Sequence, residues 1–161
     1  MNRVAFIPFA VCLCSFASAA QSDFKSFINN EDKLLSKAFA NKDSSFFRKT
    51  AAPGFTITQG GKTFTAEQSF KLIDAQFAGC TSMKCAFKVV SAKSNGNTGT
   101  TKTQVHGEVT TKPGKDGKSH LIVEDETATA TWVRIGKTWK IKSQVVERPT
   151  KLTVDGKPAK V

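Results

Sequence analysis

The pattern of hydrophobic positions changes once along this chain. Between Phe24 and Gly79 the apolar residues mostly recur at helical spacing, and from about Ala86 onward they alternate with polar ones. Ser22 is placed to cap a first helix, with Asp23 in its first turn, and Phe24, Phe27, Ile28, Leu35, Ala38 and Phe39 then form one apolar face. Asp43 opens a short second helix that turns Phe46 and Phe47 inward, where core is the favoured reading and the wall of a ligand cavity the alternative, and this helix must end before Pro53. Phe55-Thr56-Ile57-Thr58 reads as a strand, Gly60-Gly61 as a turn and Lys62-Thr63-Phe64 as the return. Thr65-Ala66-Glu67-Gln68 is a capping box, and it predicts a third helix with Phe70, Ile73 and Phe77 buried and Gly79 at its end.

Four strands are predicted after that helix: Ala86 to Lys93, Gly99 to Lys112, Ser119 to Ile135 and Thr138 to Glu147. The last two flank Gly136-Lys137, and glycine at the first central position suits a two-residue type II′ turn. That turn pairs Trp132 with Ile141, Ala130 with Ser143 and Ala128 with Val145 on an apolar inner face. Thr131 with Lys142 and Thr129 with Gln144 then face solvent. On the preceding strand Val105 and Val109 face inward, which sends Gln104, His106 and Glu108 outward. The lysine-rich segment 149–161 contains an Asp155-Gly156 turn, and the residues leave open whether it forms a small hairpin or a loose tail.

The first residues change the picture of what is to be folded. A basic start at Arg3, an apolar run from Val4 to Phe16 and Ala17-Ser18-Ala19 read as a bacterial-type secretory signal, residues 1–19, with cleavage after Ala19 or Ala20. Removal leaves roughly 140 residues, one ordinary domain at 20–148 followed by a basic tail at 149–161. Export is therefore expected, to the periplasm or the medium. Cys12 and Cys14 leave with the signal, and Cys80 and Cys85 remain. In an oxidising compartment they are expected to form a small disulfide loop, with two free thiols as the alternative. No metal site is expected, because further ligands at set spacing are missing.

Net charge is +11, with 24 Lys and Arg against 13 Asp and Glu. Scattered lysines that keep an exported domain soluble are one reading, and attraction to an anionic membrane or envelope surface is the other. Nucleic acid is not expected: no binding motif is present and the chain has no tyrosine. No nucleotide or cofactor fingerprint occurs, since Gly60-Gly61 matches none.

Three helices, a short hairpin before the third and a run of long strands make an α+β order. Together with Phe55-Thr56-Ile57, Gly60-Gly61-Lys62, the Thr65 to Gln68 box, and Trp132, Gly136, Trp139 and Gln144 of the last hairpin, it resembles the nuclear transport factor 2-like superfamily. Within it the likeness is to the SnoaL-like and uncharacterised exported bacterial branches, over about Phe24 to Glu147. The resemblance implies a curved antiparallel sheet wrapped around three N-terminal helices, a cone-like α+β barrel with a pocket at its open end. It also implies a homodimer formed through the sheet, and it spans both enzymes and proteins without chemistry.

The register restricts the chemistry. A SnoaL-like isomerase, cyclase or hydrolase calls for a carboxylate and a histidine in the cavity for proton transfer; His106 with Asp125 is the obvious pair, and Glu126 or Asp125 the candidate carboxylate base. Alternation puts Asp125 and His106 outside. Glu126 and Glu124 remain inside with Ser143, Thr103 and Arg134, and Glu126 is expected to pair with a lysine or Arg148 at the rim. Trp132, Trp139, Glu126, Ser143, Arg134 and Phe55 are the candidate ligand-binding residues. The balance favours a non-catalytic exported domain that binds a small apolar ligand or a protein partner.

Overall fold

In the computed structural model, which describes residues 13–147 and 149–159, three helices precede most of the sheet. Helix α1 runs over Leu13–Asn41 and α2 over Ser44–Thr50. Strands β1 (Ala51–Gln59) and β2 (Lys62–Thr65) lead into α3 (Ala66–Gly79). Four long strands follow: β3 (Cys80–Asn95), β4 (Thr98–Thr111), β5 (Leu121–Ile135) and β6 (Thr138–Val146). A short hairpin, β7 (Lys151–Val154) and β8 (Lys157–Pro158), ends the chain. The expected secretory signal lies largely outside the described residues, and from Leu13 onward the backbone is already helical. Ser22 is therefore interior to α1 and does not cap it.

Local chemistry explains the other boundaries. Asp43 accepts a hydrogen bond from the Ser45 backbone N–H and starts α2. The capping box at α3 is complete: Thr65 Oγ1 accepts from the Gln68 N–H, and the Thr65 N–H donates to Gln68 Oε1. Gly136 has φ of 62° while Lys137 stays at negative φ, the sign pattern of a type II′ turn. Asp155 and Gly156 are both left-handed, as a type I′ turn requires, and the C-terminal segment is thereby a hairpin.

The strand order is β2-β1-β6-β5-β4-β3, with β7 added to β5. β1 and β6 run parallel, so the sheet is mixed where an all-antiparallel one was expected, and β2 and β3 remain as open edges. Along the edge of β5 opposite β4 two strands share its length: residues Ala128 to Ile135 pair with β6, and Ile122 to Asp125 pair with β7. β4 and β5 pair His106 with Asp125 and Val105 with Glu126, the parity that the valine pattern required. β3 begins at Cys80, six residues earlier than the alternation suggested.

Two apolar clusters hold the helices against the sheet. Phe24 and Ile28 of α1 pack on Ala130, Trp132 and Trp139; Phe77, Cys80 and Met83 form the second cluster, with Phe39, Phe47 and Ile73 against it. Phe24 is fully buried, its ring 4.6 Å from that of Trp139. It lies directly on Gly99, where a Cβ would stand 2.5 Å from Phe24 Cζ. Gln21 ties the same helix to the β3 edge, donating to the Ala92 carbonyl at 2.8 Å and accepting from the Ser94 N–H at 2.7 Å.

Candidate functional site

The concave face of the sheet and the three helices enclose a cavity of about 500 Å³, within the usual ~300–1,000 Å³ range of small-molecule sites. Alternation delivers its walls. Thr101, Thr103, Val105, Gly107 and Val109 face it from β4, and Ile122, Glu124, Glu126, Ala128, Ala130 and Trp132 from β5. Phe55, buried and stacked on Phe70 with ring centroids 6.2 Å apart, lines it from β1. Phe39, Phe46 and Phe47 line it too, so the aromatic pair of α2 forms cavity wall as well as packing.

On β6 the inward sequence is Ile141, Gln144, Val146, a step of three followed by a step of two. The extra residue is a bulge: Trp132 pairs with Ile141 as expected, but Thr131 then pairs with Ser143 and Ala130 with Gln144. Ser143 and Val145 consequently face outward and Ser143 is not a cavity residue, contrary to the expected register. Trp132 lines the cavity with its Nε1–H donated to Thr101 Oγ1 at 3.1 Å. Trp139 and Arg134 lie on the inner side but away from the cavity. Trp139 is core, and Arg134 sits 5.9 Å over its ring and 3.5 Å from Asp23 on α1.

The proposed outer pair is outside. His106 Nδ1 lies 2.5 Å from Asp125 Oδ1, with Glu108 at 3.6 Å, and the Asp125 hydrogen bond holds the imidazole pKa above its ordinary value. Neither His106 nor Asp125 reaches the cavity. His120 is likewise exterior, bonded to Asp155 at 2.7 Å and close to Asp116 at 3.3 Å.

Glu126 is inside; Arg148, one of its two expected partners, lies outside the described residues. Among the described residues no ion pair engages it; burial, reinforced by neighbouring Glu124, pushes its pKa up to about 7. Burial raises Glu124 as well. Gly107 stands between Glu124 on β5 and Cys85 on β3, and the Cys85 thiol is pushed up to about 12 by burial and by both glutamates, so it is no nucleophile. Cys80 and Cys85 are free thiols on one strand. Five residues of extended backbone separate them by roughly 16 Å, far beyond disulfide reach, so the expected bridge is absent from this fold.

Two further acids were not anticipated. Glu31 and Asp32 of α1 face the cavity; burial raises both, Asp32 to about 6. Glu31 is 9% exposed and its Oε1 is buried without a hydrogen-bond partner. The signal was present in the sequence, because Glu31 continues the Phe24, Phe27, Ile28, Leu35 stripe at the i+3 position from Ile28. Among the described residues no group of three His, Cys, Asp or Glu side chains is arranged to hold a metal ion.

The arrangement is thus an α+β cone with an apolar cavity edged by carboxyls. Comparison with solved structures identifies that architecture as the nuclear transport factor 2-like fold. A nuclear transport factor 2-like superfamily protein from Salmonella enterica superposes with a TM-score of 0.63 at 14% identity, covering 87% of this chain and 94% of that one. The Kfla4162 protein from Kribbella flavida gives 0.66 at 15%, covering 82% and 94%. A type 2 hexachlorocyclohexane dehydrochlorinase gives 0.65 at 10%, covering 87% and 92%. No family model and no curated protein matches the sequence.

Proposed function

We propose that this is an exported, non-catalytic domain that takes a small apolar ligand into its cone. The observation that carries the reading is the make-up of the cavity wall: largely aliphatic and aromatic, with no histidine, lysine, arginine or tyrosine among the described lining residues to act as the partner of a carboxylate in proton transfer. Titration with the neutral fluorophore N-phenyl-1-naphthylamine tests it. A saturable rise in emission that Ala128→Phe abolishes in a still-folded protein is expected, since Ala128 is a buried wall residue. No saturable rise, or one indifferent to that substitution, overturns the reading. Export itself predicts that envelope-fraction protein begins at Ala20 or Gln21. The polar outer face of β4 to β6 would serve a partner or a second copy of the chain, and a purely monomeric sedimentation profile speaks against the latter.

A second reading is favoured by Glu126, whose pKa near neutrality suits a general base. One of the similar structures is named for removal of hydrogen chloride, an elimination that includes a proton loss. In this reading Glu126→Gln abolishes turnover of an apolar substrate while binding persists; equal turnover in wild type and variant excludes it. Attachment of the basic exterior to an anionic envelope polymer is a third role. It predicts binding that weakens steeply from low to physiological salt, and a flat response eliminates it.

A further inference from the structure

The distribution of charge between the inside and outside of the cone says which apolar ligand fits. Lys and Arg outnumber Asp and Glu by 24 to 13 in the chain. Among the described residues none of the cations lines the cavity, whereas Glu31, Asp32, Glu124 and Glu126 do. They come from opposite walls, two from α1 and two from the inner face of β5. Glu31 is the sharpest case: nine-tenths buried, with Oε1 facing no donor. Lys140 acts on it through space, but the Lys140 ammonium is hydrogen-bonded to the Lys49 carbonyl and makes no ion pair with Glu31. A buried acceptor left without a donor is unfavourable, and a donor brought into the cavity would relieve it.

Building on the ligand-binding reading, we infer that the cavity takes an apolar amine, with the hydrocarbon or aromatic body against Trp132 and the phenylalanines and the ammonium held by the carboxylates of Glu31 and Glu126. The choice between an ammonium and a neutral hydroxyl is decided by the sum of the charges. Above neutral pH, Glu126 and Asp32 are largely ionised and none of the described lining residues carries a positive charge to offset them. A cation gains from each ionised carboxylate, a hydroxyl satisfies one or two lone pairs, and an anion is repelled.

The experiment compares three ligands that share one body: 1-naphthalenemethylamine, 1-naphthalenemethanol and 1-naphthoate, each titrated calorimetrically into the full mature protein at about pH 8, where the amine is protonated. The expected result is an amine bound about tenfold or more tighter than the alcohol, the worth of one charged hydrogen bond, with no measurable binding of the carboxylate. Glu31→Gln or Glu126→Gln, or both, should bring the amine within a few-fold of the alcohol, while Asp125→Asn on the outer face leaves the preference intact. An alcohol bound as tightly as the amine, or a preference that survives both cavity variants, overturns the inference and leaves a ligand-binding domain standing. Failure of all three to bind overturns both.

Discussion

Glu126 sets the pH behaviour of the free protein through the difference between its folded and unfolded pKa. Its folded value of about 7 lies above the ordinary 4.5, so between these the folded state holds a proton that the unfolded state has released. Stability is then fully present below about 4.5 and is lost as pH rises through about 7. Glu124, Glu31 and Asp32 are raised for the same reason, burial, and tilt the curve the same way. Glu126→Gln should flatten part of this limb and leave the protein more stable than wild type at about pH 8, by about 1–2 kcal/mol once solvent screening of the half-buried side chain is allowed for. Urea unfolding of both proteins across the range from pH 5 to about 8 measures it, and parallel curves would contradict the assigned burial. Alternation along β5 was enough to find Glu126 from the sequence, because a period of two admits only two faces. That no lysine among the described residues pairs with it was not legible: whether a lysine reaches a carboxylate depends on neighbouring strands, and here Lys102 pairs with Glu147 on the outer surface instead.

At the scale of elements, the turns were readable and the irregularities between them were not. Gly136-Lys137 fixes the register of β5 and β6 up to Trp132 and Ile141, and one bulge beyond it exchanges Ser143 for Gln144 in the cavity. Nothing in Thr131, Ser143 or Gln144 marks that bulge, since any of them is acceptable on either face. The disulfide expectation failed similarly, because the chain enters β3 at Cys80 and extended backbone carries Cys85 away from it. Alkylation and peptide mapping of the denatured protein without reductant should find both of these cysteines modified; a linked peptide pair would contradict the strand. Native Cys85 should react slowly with the same reagent, its thiol being held near 12. The seating of α1 is testable through Gly99. A methyl group there meets the fully buried Phe24 ring at 2.5 Å, so Gly99→Ala should cost about 1–3 kcal/mol by overpacking. Added to Phe24→Ala, which vacates that space, Gly99→Ala should cost much less. Additive losses in the double-mutant cycle would show that the two residues do not share the contact.

Across the whole molecule, the cone gives up core packing to keep a cavity open. The two buried clusters are separate, each contributes to the wall, and neither spans the space between them. The resemblance carried by the α+β order and the last hairpin implied such a cone, but periodicity reports which side a residue faces, not whether that side is filled. Phe46 and Phe47 therefore left core and wall open as readings, and they are both, lining the cavity while packing on each other and, through Phe47, on the second cluster. The resulting competition between stability and binding can be measured at Ala128, which is buried, small and on the cavity surface. Ala128→Leu adds three methylene-sized groups to empty apolar space, and cavity filling of this kind commonly contributes about 0.5–2 kcal/mol. The unliganded variant should melt above the unliganded wild type. Ligand should then act in the opposite order: at about a hundredfold excess over its dissociation constant it stabilises wild type by about 2.7 kcal/mol, while the filled variant binds weakly and its melting temperature hardly moves. Differential scanning calorimetry with and without N-phenyl-1-naphthylamine reads both halves at once. If Ala128→Leu lowers the unliganded melting temperature, the space beside Ala128 is already occupied by protein and the cavity is not a binding site.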